Sequence, residues 1–554
     1  MSKKIVIIGG VAAGAGAAAK ARRTDEQARI IIFEKGPYVS FANCGLPYYV
    51  GHQIKERNEL FLVTPERFRQ RFNIDVRVNH EVTAINPEER KVEVVDHFTG
   101  NTFIETYDKL IIATGASPIK PPIEGVNLNN VYHLWTVPDA DAVKAFIQQN
   151  KPQQAVVVGG GFIGLEAVEN LLKYGIKVHL VEMLPQVMPA FDQEMTVPLV
   201  KHLRQLGVEI HLNDGVAKFL GTGEVNGVQL ASGKIISAPL VILAVGVKPN
   251  TELAEKAGLA IGEKGGIVVD TRMRTSNPDI YAAGDVVEIY HLVSGKKVRI
   301  PLAGPANKQG RVAGANAAGG DLEFKGAYGT SIVKVGKLTA AKTGLNEREA
   351  RDAGFDYQVS YTHSPDHAGY YPGAETMMVK VIFEKSTGRL LGGQIVGPKG
   401  VDKRIDVLAT AIYSQLTVYD LEDLDLAYAP PYSSAKDPVI IAGMAAANIL
   451  RGEVEVWTAA DLAEALEKGE DLQLVDVRTP DEYREGHIPT AVNIPVDDLR
   501  KRIGELDPHR KTVLYCGIGY RSYLAYRVLK DKGFSDLGHL SGGYRSWSLT
   551  LPEK

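Results

Sequence analysis

Apolar runs cut short by glycine organise the first half of the chain. Lys3 to Ile8 is apolar after its lysines and stops at Gly9-Gly10, the pattern of a strand buried on both faces. An alanine-rich helix, Ala12 to Arg22, follows, and a second strand, Ile30 to Phe33, ends at Glu34. The same order recurs as strand Ala155 to Val158, turn Gly159 to Gly164, a helix to Tyr174, and strand Val178 to Val181 ending at Glu182. Each stretch reads as the start of a doubly wound βαβ unit. Two further apolar strands, at Asp108 to Gly115 and Leu240 to Gly246, end in small turns. From about residue 326 to 450 the pattern changes. Strands Thr330 to Val335, Met377 to Phe383 and Gly393 to Val396 accompany a helix from about Asp402 to Gln415, as in an α+β module. Near Gly452 the chain restarts with a helix from Trp457 to Lys468 and a strand from Leu472 to Val477. A strand Thr512 to Tyr515 and a helix from about Ser522 complete a small α/β domain.

Composition narrows the class. A length of 554 residues predicts three or four domains, and 45% hydrophobic with 23% charged residues is ordinary for a soluble globular protein. The net charge of −3 and the lack of a basic stripe argue against nucleic acid or an anionic membrane as partner. No apolar stretch reaches membrane-spanning length. Two cysteines cannot form a disulfide framework, so the expected compartment is the cytoplasm. No metal site is expected.

The glycine turns carry the first chemistry. Gly159, Gly161 and Gly164 satisfy G-x-G-x-x-G between a strand and a helix, with Ile163 inside the turn and Glu182 at the end of the next strand. Such glycines allow a tight turn and close approach of a pyrophosphate to a helix N-terminus. Glu182 is placed to accept from a ribose 2′-OH and repel a 2′-phosphate, which favours NADH over NADPH. Gly9, Gly10, Ala13 and Gly14 form a less regular copy, with Val11 at the second fingerprint position and Glu34 as the ribose acid. The two thiols carry the second chemistry. Cys44 lies in Ser40-Phe41-Ala42-Asn43-Cys44-Gly45, and Cys516 opens Cys516-Gly517-Ile518-Gly519-Tyr520-Arg521. A bland reading makes each a small buried hydrophobe. Glycine-bearing loops instead supply N–H groups that stabilise a thiolate.

With five motifs in order, residues 1–450 resemble the flavoprotein disulfide reductases that have two dinucleotide-binding domains. The resemblance implies that the first unit binds FAD, completed by Thr114-Gly115 and by Asp285 of the Gly284-Asp285 pair. It implies NADH or NADPH on the second unit, with Gly246 in its wall. Family members commonly carry C-x-x-x-x-C, but Tyr49 stands five residues after Cys44. Cys44 therefore cycles through a mixed disulfide with a small thiol or through a sulfenic acid. The peroxide-reducing relatives carry a histidine in the first glycine loop, and this chain has none before His52. The segments around Cys44, Gly369-Tyr370-Tyr371-Pro372 and Tyr428-Ala429-Pro430-Pro431-Tyr432 look like the coenzyme A disulfide reductases. That resemblance implies a Cys44–S–S–CoA intermediate in a homodimer. Tyr370 and Tyr428, or else Tyr371 and Tyr432, would assist the leaving thiolate at the other subunit's cysteine. CoA phosphates need cations, so Arg22, Arg23 and Arg71 are candidate contacts, with Ser40 and Asn43 beside the thiol.

In the last domain, Val475-Asp476-Val477-Arg478, Gly486-His487-Ile488-Pro489 and the Cys516 loop together resemble a rhodanese. Four residues separate Cys516 from Arg521, one fewer than a cysteine phosphatase loop needs. Cys516 is the expected persulfide carrier, with Arg521 binding an anionic sulfur donor. The expected fold is α/β: two doubly wound dinucleotide-binding domains, an α+β dimerisation domain and a rhodanese-like α/β domain. Expected boundaries are 1–150 with 276–325 for FAD, 151–275 for NAD(P)H, 326–450 for dimerisation, 451–456 as linker and 457–554 for rhodanese. The expected activity is NAD(P)H-driven reduction of CoA disulfide, CoA persulfide or polysulfide, coupled to sulfane-sulfur transfer. The rivals are an NADH oxidase or peroxidase acting through a Cys44 sulfenic acid, and a flavin-bound redox sensor or sulfur-carrier scaffold.

Overall fold

A computed structural model describes residues 2–550, so the outermost ends of the expected spans 1–150 and 457–554 lie outside the described residues. The chain forms two compact units, residues 1–187 with 207–329, and residues 188–206 with 330–554. The first unit holds two parallel five-stranded sheets. One has the order Ile280–Ala282, Lys109–Ile112, Lys4–Ile8, Arg29–Glu34, Asp75–Val78. Its central strand is apolar because both faces are covered, and Ile5, Val6 and Ile7 are fully buried. Burying one such side chain contributes about 1.5–3 kcal/mol. The other sheet has the order Glu209–His211, Lys177–Val181, Gln154–Val158, Val241–Leu243, Val131–Tyr132. Both recurring βαβ starts are thus real strand–turn–helix units, with helices Ala12–Thr24 and Phe162–Leu172.

The second unit contains an antiparallel sheet ordered Ser331–Val335, Leu338–Gly344, Leu390–Gly397, Thr376–Glu384, Tyr357–Pro365, with helices Val401–Tyr413 and Pro438–Leu450. A parallel sheet near the C-terminus has the order Val456–Trp457, Leu537–Leu540, Thr512–Tyr515, Gln473–Asp476, Val492–Asn493. Two expectations are corrected here. Trp457 belongs to a strand paired with Leu540, and its helix begins only at Ala459. The reason is a capping box, in which Thr458 and Asp461 satisfy each other's backbone N–H groups and fix the start. The last long helix begins at Tyr520, not Ser522, because Gly519 adopts φ 108° and turns the chain directly into it.

Helix Gln193–Gln205 lies in sequence within the stretch 151–275 but packs in the second unit. Lys380, fully buried on the antiparallel sheet, holds it. Its ammonium lies 2.7 Å from Asp192 and also pairs with Glu194 and Glu347. Burial opposes the charge, but Tyr361 and the three carboxylates keep the ammonium well above its ordinary pKa.

Candidate active site

The two glycine turns share one construction. Gly14 and Gly164 pack so closely that a Cβ on either would lie 1.9 Å from the carbonyl oxygen of Gly9 or Gly159, respectively. Only glycine lets each helix start so near its strand. Glu34 accepts from the N–H groups of Gly10 and Gly36, both at 2.8 Å. Glu182 repeats this with Gly160 at 2.7 Å and Leu184 at 2.9 Å. Both acids therefore brace their loops from the end of the second strand. Burial raises the Glu34 pKa against those hydrogen bonds. A Cβ on Gly161, or on the left-handed Gly115, would meet nothing within 4 Å. Thr114 donates to the Asn250 carbonyl at 2.8 Å, tying the Thr114-Gly115 turn in place, and Gly246 adopts φ 107°. Gly284 N–H donates to Gln309 at 2.7 Å, which fixes the backbone beside Asp285. Burial lifts the Asp285 pKa to about 6 against the pull of Arg299. Open glycine turns at helix N-termini, each with an acid at the next strand end, fit the diphosphate and ribose of two dinucleotides.

Cys44 sits in the single turn Asn43–Gly45 that leads into helix Leu46–Val50. The turn is positioned by Ser40, whose backbone is left-handed at φ 46° and whose N–H donates to the Gly10 carbonyl at 2.8 Å. One end of the loop is thus fastened to the first glycine turn. Cys44 is free and exposed. Partial loss of water around the sulfur, then the charges of Glu166 and Asp285, raise its thiol pKa. Glu166 was not foreseen from sequence. It lies one turn into helix Phe162–Leu172, accepts from the Tyr48 hydroxyl at 3.3 Å, and burial lifts its pKa to about 7. The signal for it was weak, an acid two residues after Gly164 on a helix whose glycines drew the attention.

The proposed CoA cations divide. Arg22 is corrected: it is buried, and its guanidinium donates to the carbonyls of Phe72, Asn73, Asp25 and Glu26. It staples the end of its helix to the end of helix Pro65–Phe72 and is not available to a phosphate. Arg23 and Arg71 stand on those two joined helix ends and are exposed. Tyr370 and Tyr428 meet, with hydroxyls 2.8 Å apart and both side chains exposed. That hydrogen bond raises the Tyr370 pKa. Tyr371 packs edge-on against His367 instead.

At the second thiol, Cys516 is buried and its Sγ accepts from Gly519 N–H at 3.2 Å and from the Ser522 hydroxyl at 3.5 Å. Tyr544 N–H donates to the Cys516 carbonyl at 2.7 Å, which fixes the loop from behind. Arg521 lies in the first turn of the following helix and forms a two-pronged pair with Glu482 at 2.7 and 2.6 Å. Hydrogen bonding from Arg521 lowers the Glu482 pKa to about 2.

Known proteins share the sequence and fold of this chain. The sequence profile described as pyridine nucleotide-disulphide oxidoreductase matches residues 3–310, and that family's dimerisation-domain profile matches 330–438. The chain belongs to the pyridine nucleotide-disulphide oxidoreductase family. Residues 458–550 match the rhodanese-like domain. Membership in the oxidoreductase family implies FAD and NAD(P)H, which the two glycine cradles fit. A Staphylococcus aureus relative named coenzyme A disulfide reductase is 36% identical over 441 residues, covering 79% of this chain and 99% of the relative. The structure of reduced Bacillus anthracis CoADR-RHD is 45% identical with a TM-score of 0.97, covering 100% of this chain and 99% of that one. A NAD-dependent persulfide reductase from A. fulgidus is 42% identical with a TM-score of 0.93, covering 98% and 100%. The fold class read from sequence therefore stands: α/β dinucleotide-binding domains, a dimerisation domain and a terminal rhodanese domain. Among the described residues no helix is long and apolar enough to cross a membrane.

Proposed function

We propose that this oxidoreductase reduces CoA disulfide, CoA persulfide or polysulfide through Cys44 alone, and that its rhodanese domain passes sulfane sulfur through Cys516. The observation that carries the reading is a single free, exposed thiol on a loop fastened to the first dinucleotide cradle. The only other cysteine lies in a separate sulfur-binding loop. With no second thiol five residues on to close a disulfide, and no histidine in the first glycine loop as in the peroxide-reducing relatives, a partner sulfur from a small molecule fits Cys44 best.

Residues Gly9, Gly10, Ala13, Gly14, Glu34, Thr114, Gly115 and Asp285 would hold FAD. Gly159, Gly161, Ile163, Gly164, Glu182 and Gly246 would hold the nicotinamide nucleotide, NADH in preference to NADPH. When bound, FAD supplies a two-electron relay between NAD(P)H and a disulfide. Cys44 thiolate attacks the CoA-bearing sulfur of CoA–S–S–R, RS⁻ leaves, and Cys44–S–S–CoA forms. Two electrons then cleave that bond, returning Cys44 thiolate and CoA thiolate. When R is hydrogen, the leaving group is hydrosulfide. In a homodimer the Tyr370–Tyr428 pair of one subunit donates a proton to the thiolate leaving the other subunit's Cys44. Arg23 and Arg71 face the CoA phosphates, and Ser40 and Asn43 shape the loop around the sulfur. At the rhodanese, the Gly519 N–H and Ser522 hydroxyl steady the sulfur that carries the persulfide, and Arg521, held in place by Glu482, would meet the donor through the N–H groups that this pair leaves free.

Relatives named for CoA disulfide and for persulfide reduction support this reading. The test separates the two thiols. Cys516→Ser should abolish sulfur transfer to cyanide yet leave NADH-dependent CoA disulfide reduction within about twofold of wild type. Cys44→Ser should do the reverse. Loss of both activities in either variant contradicts the division of labour.

A further inference from the structure

The second nucleotide-binding sheet ends in a cluster that the proposed chemistry does not use. His179 lies on strand Lys177–Val181, and Glu209 and His211 lie on the neighbouring edge strand. The parallel register pairs His179 with Glu209 and Val181 with His211, so all three side chains project from one face. The imidazole rings stack with centroids 5.8 Å apart and planes 13° from parallel. One ligand-capable atom from each residue lies within 4.8 Å of the others. His179 Nδ1 is 3.3 Å from a Glu209 carboxylate oxygen.

The hydrogen bonds around the cluster leave something out. His179 is 5% exposed, and its Nε2 lies 3.1 Å from Gln154 Oε1 on the adjoining inner strand. A proton on Nε2 satisfies that contact and leaves the Nδ1 lone pair facing a carboxylate. Two acceptors at that distance repel unless a cation lies between them. His179 Nδ1 and His211 Nε2 are both shut from solvent and have no hydrogen-bond partner. The second unit shows what a satisfied acidic cluster looks like: Asp192, Glu194 and Glu347 converge in the same way, and the Lys380 ammonium fills the centre. Lys177 pairs with the other Glu209 oxygen at 2.5 Å, and the Lys234 charge also acts on all three groups, but neither lysine is hydrogen-bonded to the two unpartnered imidazole nitrogens.

We infer that His179, Glu209 and His211 form a binding site for one divalent transition-metal ion such as zinc. Two imidazoles and one carboxylate are a borderline-soft set that suits zinc and its late first-row neighbours. Donors of a tetrahedral zinc at about 2.1 Å stand about 3.4 Å apart, close to the His179–Glu209 spacing. Gln154 has the role of the outer partner that fixes a ligating histidine's tautomer. The site is absent from the expectations drawn from sequence because Gln154, His179 and the 209–211 pair are brought together only by strand pairing. The ion would pin the edge strand to its neighbour. That strand also accepts the Glu182 N–H at the His211 carbonyl, at 2.8 Å, so the site braces the wall of the nucleotide cradle.

The experiment is a calorimetric Zn²⁺ titration of the full-length, FAD-loaded chain carrying Cys44→Ser and Cys516→Ser, which removes the thiols as competing ligands. One zinc per chain is expected. Adding His179→Gln or His211→Gln should weaken binding at least tenfold, with FAD content and circular dichroism unchanged. Gln154→Leu should keep the stoichiometry and weaken binding about tenfold. Should a histidine variant fail to fold, Glu209→Gln carries the same test. The competing arrangement turns the Gln154 amide round and puts the His179 proton on Nδ1, which needs no ion. Absence of stoichiometric zinc, or binding that the histidine and Glu209 substitutions leave unchanged, overturns the site.

Discussion

At the scale of single residues, the exposed Cys44 thiol is held back by its neighbours. Cys44 is open to solvent, yet partial desolvation and the carboxylates of Glu166 and Asp285 disfavour its thiolate. Glu166 ionises near pH 7 and Asp285 near pH 6, so both are charged where the thiol titrates. Substituting Glu166→Gln removes one negative charge and should lower the Cys44 pKa. At a pH below that pKa, lowering the pKa by one raises the thiolate fraction about tenfold, so alkylation by iodoacetamide at pH 8 should run roughly three- to tenfold faster. The rate advantage should fade below pH 7, where wild-type Glu166 is itself protonated. An unchanged rate at pH 8 would show that Glu166 does not act on the sulfur. Neither Glu166 nor the Arg22 staple was legible in the sequence. The sequence made Arg22 a candidate for a CoA phosphate and gave Glu166 no role. Only the packing of helix Phe162–Leu172 beside the Cys44 loop, and of Phe72 beside Arg22, gives them partners.

At the scale of elements, what was legible was local. Strands Lys4–Ile8, Arg29–Glu34, Gln154–Val158 and Lys177–Val181 announce themselves by apolar runs and the glycine turns by spacing, because both depend on nearest neighbours in the chain, whereas the buried strand Leu537–Leu540, interrupted by Gly538 and His539, does not. The hydrophobic pattern starts the helix of Ala459 two residues early because Trp457, which reads as the first apolar position of a helical face, pairs across the sheet with Leu540. The twin turns make a separable prediction. A Cβ at Gly14 or Gly164 would enter the space of its own turn's carbonyl, so either substitution must push helix from strand. Gly14→Ala should purify with little FAD. Gly164→Ala should retain the yellow flavin but raise the KM for NADH at least tenfold, while Gly14→Ala leaves isolated thiosulfate-to-cyanide sulfur transfer intact. Full FAD content in Gly14→Ala would contradict the assignment of the first turn.

At the scale of the whole chain, two kinds of sulfur loop are carried by two kinds of scaffold. Cys44 stands exposed beside ionisable groups, and Cys516 is enclosed by N–H and hydroxyl donors. Within the second unit the rhodanese domain is joined to the antiparallel sheet: the Tyr361 N–H donates to Ser541 at 2.9 Å, and His363 meets Ser546 at 2.9 Å. Helix Gln193–Gln205 is locked to the same sheet through Lys380. Removing one partner from so buried a charge cluster costs about 3–5 kcal/mol, because the charges left behind are buried and uncompensated. These links were invisible to sequence because they join residues up to 188 positions apart. The central claim is that Cys44 works by holding CoA, and the most direct measurement is the intact mass of the non-reduced protein beside Cys44→Ser. The account predicts a gain equal to one CoA per chain, released by dithiothreitol and absent from the variant. A bare Cys44, or one carrying a single oxygen, would contradict it and put peroxide chemistry or another small thiol first.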